Sequence, residues 1–230
     1  MNIPRPHFFR LAVLLGSAIF LGSLAGTAAP AENPAGPVTN IWNVFQQRRS
    51  ARKFRPDAVP DADLKKMIDA ARLAPTSGNQ QPWKFLVIRD PEKIKQMEES
   101  CVKRLLDRPD QRGKSASEKE EVAKGFRSRL SGYFSAPAFI VILTDNRSQY
   151  PDYNHWDGPL AAGYLMLAAR ALGYGTVFIT DAIPDSVTKE VLHIPDTYTR
   201  VCITPVGIPV EWPDSPPKKK LDEFIVWEAF

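Results

Sequence analysis

The sequence predicts an α+β fold, in which helices and strands mix along the chain without a regular alternation. Two observations support this class. Apolar residues at helical spacing and short apolar runs typical of strands follow one another irregularly. No predicted strand is followed by the glycine-rich turn that opens a dinucleotide-binding fold. The length of 230 residues is compatible with a single domain.

The first half of the chain predicts three helices and one strand. Asn40 is placed to cap the first helix, and Asp61 or Asp63 to cap the second. The charged stretch 107–121 predicts a mobile surface segment, which is either part of a lid or a loop without a role. The predicted bounds are helices over 41–48, 61–73 and 91–106, and a strand over 84–89.

The second half of the chain predicts three strands and two helices. The helix over 158–172 is apolar on nearly all sides, which indicates burial in a core or between subunits. The tail over 221–227 is aromatic and apolar; it would be an exposed patch in a monomer and therefore favours dimerisation. The other predicted elements are strands over 137–143, 176–180 and 201–207, and a helix over 187–192.

A basic cluster, Arg48-Arg49-Ser50-Ala51-Arg52, combines guanidinium groups with a hydroxyl within five residues. The planar fork of arginine pairs bidentately with phosphate oxygens, and a serine hydroxyl adds another donor. Taken alone, such a cluster is more often the solvated basic end of a helix.

A second polar stretch, APTSGNQQPW over 74–83, follows one helix later. It supplies hydroxyls, amides and a flexible glycine before a proline that stops any helix. Such a loop presents donors and acceptors to the edge of a flat polar ring. The two stretches together predict a site for a phosphorylated heteroaromatic cofactor.

Four motifs occur in an order that resembles the FMN-dependent nitroreductase family, from about Trp42 to the C-terminus. They are RRSARKF at 48–54, APTSGNQQPWKF at 74–85, ALGYGTVFITD at 171–181 and PPKKKLDEF at 216–224. The resemblance implies an antiparallel central sheet flanked by helices, and an intertwined homodimer whose C-terminal extension crosses to the partner. It also implies an FMN cofactor that takes hydride from NAD(P)H and reduces nitroaromatic, quinone or similar small acceptors in a ping-pong scheme.

The resemblance assigns the cofactor contacts residue by residue. The phosphate and ribityl chain would be held by Arg48, Arg49, Ser50, Arg52, Lys218 and Lys220. Pro75, Thr76 and Ser77 would line the flavin ring, and Gln80 and Gln81 would hydrogen-bond its polar edge or the ribityl chain. Backbone groups of Ile179, Thr180 and Asp181 would lie beside the reactive ring nitrogen. Lys220 stands where relatives often have arginine, which weakens the expected bidentate contact. Many relatives have Glu-Gly in place of Thr180-Asp181, and we hypothesise that the Asp181 carboxylate alters the flavin potential or the substrate preference.

The flavin carries the chemistry in such a protein, so no side chain is assigned a catalytic role. The histidines, His7, His155 and His193, form no cluster, and no metal site is expected. Cys202 lies in an apolar strand-like run, so we expect it and Cys101 to be unpaired thiols rather than a disulfide. The net charge of +4, without a basic stripe of interleaved aromatics, does not favour nucleic acid as a partner.

The first 31 residues have the layout of a secretory signal peptide. Arg5 and Arg10 precede an uncharged apolar run over 11–25, and small residues follow it. Cleavage is expected after Ala28 or Ala31, and the alternative is an uncleaved N-terminal anchor, although the run is short for a membrane span. The predicted divisions are a signal over 1–31, a linker over 32–40 and a cofactor-binding domain over 41–230, exported to the periplasm or beyond.

Export conflicts with the use of NAD(P)H, which is abundant inside cells and not outside them. An alternative from another class is therefore an exported FMN-binding electron-transfer protein without NAD(P)H-dependent turnover. Reductive dehalogenation of halogenated aromatics and flavin destruction are rivals within the same superfamily. Those branches carry additional lid motifs, which are not identifiable in this sequence.

Overall fold

The computed structural model describes residues 36–230, so the predicted signal peptide and its cleavage sites lie outside the described residues. Six α-helices and four strands follow one another within them. Their bounds are α1 Ile41–Gln47, α2 Asp61–Ala71, β1 Trp83–Ile88, α3 Pro91–Leu106, α4 Ala116–Phe134, β2 Ala138–Asp145, α5 Asn154–Ala171, β3 Gly175–Thr176, α6 Asp185–Leu192 and β4 Tyr198–Gly207.

The four strands form one antiparallel sheet in the order β1-β2-β4-β3. β2 lies inside the sheet, where Ile142 is opposite Phe85 of β1 and Ile140 is opposite Thr204 of β4. The predicted α+β class with an antiparallel central sheet is confirmed. The homodimer and the crossing of the C-terminal extension remain predictions.

Each face of β2 carries its own apolar cluster between the sheet and a layer of helices. Phe139, Val141 and Leu143 belong to the cluster that includes α3, α4 and α6. Ile140 and Ile142 belong to the cluster that includes α2 and α5. Successive side chains of a strand point to opposite faces. Because helices cover both faces, the strand is an unbroken apolar run in the sequence.

The two cysteines lie in different clusters, Cys101 in the first and Cys202 in the second. Both are buried and free, which confirms the prediction of two unpaired thiols. Burial raises the pKa of each thiol to about 12. Since the thiolate is the reactive form, neither cysteine is a nucleophile at neutral pH.

Side chains cap α1 and α3 but not α2. Asn40 Oδ1 accepts from the backbone N–H groups of Trp42 at 3.0 Å and Asn43 at 3.2 Å, as predicted. The prediction that Asp61 or Asp63 caps α2 is wrong, because this helix begins after Pro60 with no side-chain cap. The two acids lie in its first turn instead, where negative charge is favoured by the helix dipole.

The largest difference from the sequence prediction is α4, a helix of 19 residues. It begins inside the stretch 107–121, which was expected to be a mobile surface segment. Ser115 Oγ accepts from the Glu118 N–H at 3.3 Å, while Glu118 Oε2 accepts from the Ser115 N–H at 2.7 Å. This reciprocal capping box starts the helix. Only Ala123 and Leu130 are buried, so the sequence shows no wide apolar stripe.

Two other predicted bounds change by four residues. The predicted strand over 176–180 ends at Thr176, and the chain returns to the sheet only through a single bridge between Ile179 and Ile203. Helix α5 begins at Asn154, earlier than the predicted start at residue 158. Among residues 36–230, no helix combines the length and apolarity needed to cross a membrane.

Candidate functional site

A cavity of about 740 Å³ lies between the end of α1 and the chain that follows β4. It is lined by Arg48, Arg49, Arg52 and Lys218, against one carboxylate, Asp214. The remaining lining residues are Phe45, Gln46, Ser50, Pro213, Ser215 and Pro216. The excess of positive charge together with the Ser50 hydroxyl suits a phosphate group.

Two arginines of the cavity, Arg49 and Arg52, are held by nearby backbone carbonyls. Arg49 Nη1 donates to Arg48 O at 2.9 Å, and Arg52 Nη1 donates to Ser50 O at 3.0 Å. Arg49 Nε is buried and has no hydrogen-bond partner among residues 36–230. Buried donors without a partner are rare in proteins, and an anion in the cavity would supply the acceptor. These residues therefore fit a phosphorylated cofactor.

The cavity has two walls, residues 45–52 and residues 213–218. Arg170, in the last turn of α5, contacts a residue of the chain beside each wall. Its Nη2 donates to Gln47 Oε1 at 2.7 Å, directly before the arginine cluster. Its guanidinium lies 4.4 Å from the centroid of the Trp212 ring, where the second wall begins. Cation–π contacts of this kind are favourable. In the sequence, Arg170 is recognisable only as a charged residue at the end of an apolar helix. That position does not predict its contacts with Gln47 and Trp212.

The backbone of the arginine cluster packs against the end of α4 and the edge of β3. The Ala51 N–H donates to Thr176 O at 3.0 Å, and the Phe54 N–H donates to Ser135 Oγ at 2.9 Å. Gly132 of α4 lies so close that a Cβ there would stand 2.3 Å from Arg52 O. The helix that the sequence did not reveal therefore positions the cluster.

We expect Gly132→Ala to destabilise the fold by about 1–3 kcal/mol, because the added methyl group forces the Arg52 backbone to move. Gly125→Ala in the same helix is the matched control. A Cβ at Gly125 meets nothing within 4 Å, so alanine should stabilise the helix by up to about 1 kcal/mol. Urea unfolding of the two variants measures the difference. Equal stabilisation by both substitutions would contradict the close approach of α4 to the cluster.

The loop over 75–81 is fixed to the opposite end of α5. Asp157 is 2% exposed; its Oδ1 accepts from the Ser77 N–H at 3.1 Å, and its Oδ2 accepts from Gln80 Nε2 at 2.7 Å. Gln80 also bonds the backbone of Tyr150, accepting from its N–H at 2.8 Å and donating to its carbonyl at 3.0 Å. The Gln80 amide nitrogen is fully engaged, so Gln80 could donate to a flavin only if one of these bonds broke, whereas its Oε1 can still accept a second hydrogen bond.

Three residues of this loop have a left-handed backbone, Gly78 with φ 56°, Asn79 with φ 54° and Gln81 with φ 48°. Positive φ is uncommon for residues with a side chain, and such conformations persist only where the surroundings hold them. A Cβ at Gly78 would also stand 2.5 Å from the Tyr150 ring. The bonds to Asp157 supply the restraint that this loop needs.

We expect Asp157→Ala to lower the free energy of unfolding by about 2–3 kcal/mol, because the Ser77 N–H and the Gln80 amide lose a charged, buried acceptor. Asp152→Ala removes an exposed carboxylate from the chain just before α5 and should change stability by less than about 0.5 kcal/mol. Chemical denaturation gives both values, and limited proteolysis at the loop gives a local readout. Similar stabilities for the two variants would show that Asp157 does not anchor the loop.

The predicted cofactor contacts fall into regions at opposite ends of α5. Arg170 beside the cavity and Asp157 beside the loop are separated by about 20 Å along the helix axis. The structure therefore brings the arginine cluster, Ser50 and Lys218 together in one cavity. The predicted ring contacts that do not line this cavity are Pro75, Thr76, Ser77, Gln80 and Gln81.

The segment over 179–181 and Lys220 also lie outside the cavity lining. Ser50 pairs with Thr176 in a parallel bridge, so the chain from the cluster is adjacent to the start of that segment. Lys220 is exposed, and its backbone N–H donates to Glu223 Oε1 at 3.0 Å. A role for its side chain at a phosphate remains a prediction.

Comparison with known proteins matches residues 45–208 to the nitroreductase family. An iodotyrosine deiodinase of Thermotoga neapolitana is 30% identical over 193 residues, covering 81% of this chain and 96% of that protein. A 4-nitrobenzoate reductase of Pseudomonas putida is 27% identical over 190 residues, covering 71% of this chain and 83% of that protein.

The fold also matches solved structures. The crystal structure of an oxidised iodotyrosine deiodinase bound to FMN and 3-iodo-L-tyrosine superposes with a TM-score of 0.66. It is 23% identical in sequence, and the match covers 83% of this chain and 100% of that one. At this level of identity the likeness concerns the fold.

Proposed function

Since the chain belongs to the nitroreductase family, we propose that it is an FMN-dependent oxidoreductase. The observation that carries this proposal is the cationic cavity, which is lined by three arginines and Lys218. The Nε of Arg49, one of these arginines, is buried without a hydrogen-bond partner among residues 36–230. That set of groups fits the phosphate of FMN. It coincides with the motif that the resemblance assigns to the phosphate.

Each predicted contact region has its own task in this proposal. The arginines and Ser50 bind the phosphate and so fix one end of the cofactor. The loop over 75–81, held by Asp157, and the segment over 179–181 orient the ring. FMN, when bound, supplies hydride and electron transfer, which we expect to run as a ping-pong scheme between a donor and an acceptor.

We propose that the complete site forms between two copies of the chain. The cavity and the loop lie about 20 Å apart along α5, so the two sets of predicted contacts do not meet in one protomer. Helices α1 and α5 also present apolar side chains that are 42–69% exposed, and Trp227 in the tail is 79% exposed. Those on the helices are Ile41, Trp42, Phe45, Trp156, Leu160 and Tyr164. Apolar surface of this extent is typical of an interface, and a second copy of the chain, with its tail crossing over, would cover it.

Nitroaromatics and quinones are the acceptors that we propose, with NAD(P)H as the donor. A second candidate activity is reductive removal of iodine from an aromatic ring. The likeness to the iodotyrosine deiodinase of T. neapolitana favours it. Both activities would use the same flavin, but the dehalogenating branch carries additional lid motifs that are not identifiable in this sequence.

The sequence of residues 1–31 supports a further proposal, that the protein acts in the periplasm or outside the cell. NAD(P)H is scarce there, so another small reductant or a protein would have to reduce the flavin. An exported electron-transfer role is the alternative in that case.

A visible absorbance spectrum of the mature protein with added FMN tests the proposal. NADH or NADPH is then added without oxygen, followed by 4-nitrobenzoate, a quinone or 3-iodotyrosine in separate runs. We expect a bound flavin spectrum that bleaches with the donor and returns with an acceptor. Flavin that is reduced by dithionite but not by NAD(P)H would favour the electron-transfer alternative. Absence of flavin binding would contradict the cofactor assignment.

A further inference from the structure

The segment over 177–184 carries three of the predicted flavin contacts and has no regular secondary structure. Ile179 is anchored to the sheet, because its N–H donates to Ile203 O at 3.1 Å and its carbonyl accepts from the Ile203 N–H at 3.0 Å. The next residues, Thr180 and Asp181, are exposed. The chain thus passes from the core to the surface at Thr180. The orientation of the Thr180–Asp181 peptide then decides whether its carbonyl or its N–H faces outward.

Arg200 of β4 holds this segment from the interior, with a side chain that is 5% exposed. Its Nη2 donates to Thr180 O at 2.6 Å, and its Nη1 donates to Ile183 O at 2.7 Å and to Thr188 Oγ1 at 2.9 Å. Its Nε lies 3.3 Å from the Asp185 carboxylate. A buried guanidinium must be hydrogen-bonded. Arg200 takes all of these partners from the chain between β3 and the end of α6.

The bond to Thr180 O determines the direction of the Thr180–Asp181 peptide. The peptide is trans, and a trans peptide points its carbonyl and its N–H in opposite directions. Because the carbonyl points inward to Arg200, the Asp181 N–H points away from it. We propose that Arg200 is a positioning residue, which directs the Asp181 N–H toward the reactive edge of a bound flavin ring. This inference rests on the proposed function and assigns the task to the backbone rather than to the Asp181 carboxylate.

Arg200→Gln tests the inference, because glutamine lacks the fork that reaches several partners at once. We expect the FMN dissociation constant to change less than about threefold, since the phosphate cavity is a separate region. The rate of flavin reduction should fall on the order of tenfold to a hundredfold, because a misplaced donor no longer stabilises charge on the ring. Hydrogen exchange of peptides from 179–188 should accelerate in the FMN-free protein as well.

Arg147→Gln is the matched control, since Arg147 is an exposed arginine whose bidentate partner is Asp145. It should leave the reduction rate and the exchange of 179–188 unchanged. If Arg200→Gln does not fold, Asp181→Pro removes the N–H directly, and Asp181→Ala retains it. A larger loss of reduction rate in Asp181→Pro than in Asp181→Ala would support the inference.

Two outcomes have different meanings for the two proposals. Wild-type protein that binds no FMN would contradict the proposed function itself. Wild-type protein that binds FMN, with Arg200→Gln and Asp181→Pro reduced as fast as wild type, would overturn only the positioning role of Arg200.

Discussion

Replacing Arg48 and Lys218 together with alanine is expected to weaken FMN binding on the order of a hundredfold to a thousandfold. Each residue lines the cavity, and a hydrogen bond to a charged group contributes about 1.5–3 kcal/mol, which is roughly tenfold or more in the dissociation constant. Exposure of Lys218 to solvent reduces its share, so Arg48 should account for most of the loss. Titration of the protein with FMN, followed by flavin fluorescence, gives the dissociation constants.

The double variant Lys219→Ala/Lys220→Ala is the control for this experiment. It removes the same net charge, but neither residue lines the cavity. Its dissociation constant should stay within about threefold of the wild-type value, because only long-range, salt-screened attraction is lost. If the control loses as much affinity as the cavity variant, Lys220 contacts the phosphate as the resemblance implies, and the residues that line the cavity do not form the binding site alone.

Heterodimers of two inactive variants are expected to recover about half of the wild-type rate of flavin reduction, because one of the two sites in the proposed symmetric dimer is then built from intact parts. One variant is Arg48→Glu, which reverses a charge in the cavity. The other is Gly78→Val, which forces a β-branched residue into a left-handed backbone and against the Tyr150 ring. Each homodimer alone should lack activity. Two different affinity tags allow the heterodimer to be isolated.

A heterodimer of Arg48→Glu and Lys218→Glu provides the comparison. Both residues line the cavity within one protomer, so both sites of this heterodimer contain a reversed charge and no activity should return. Absence of recovery in the first heterodimer, once its isolation is confirmed, would show that the site does not combine the cavity of one copy with the loop of the other.

The elements that the sequence predicted well are those whose signals are local. The Asn40 cap, the apolar spacing of α1 and the proline that opens α3 depend only on neighbouring residues, and the corresponding bounds agree within a residue. The arginine cluster was also recognised locally, and five of the predicted residues share one cavity.

The features that the sequence did not reveal depend on contacts between distant segments. Helix α4 buries few apolar residues, and its tight contact at Gly132 involves Arg52, which lies far away in the chain. Asp157 and Arg200 are single charged residues with no recognisable motif around them in the sequence. Their roles in holding the 75–81 loop and the 177–184 segment follow only from the distant groups that they bond. No local pattern encodes such pairings, because they arise from tertiary packing.

In the proposed complex, the crowding of positive charge around the cavity makes the cofactor a counterion that also stabilises the fold. Burial lowers the pKa of the Arg170 guanidinium, and the positive charge of nearby Arg49 lowers it further. Like charges held close together in a partly dry site repel one another, and an anion between them relieves the repulsion. FMN therefore adds stability that grows with its concentration above the dissociation constant. We expect inorganic phosphate and sulfate to offer part of the same relief, and so to raise the stability of the cofactor-free protein.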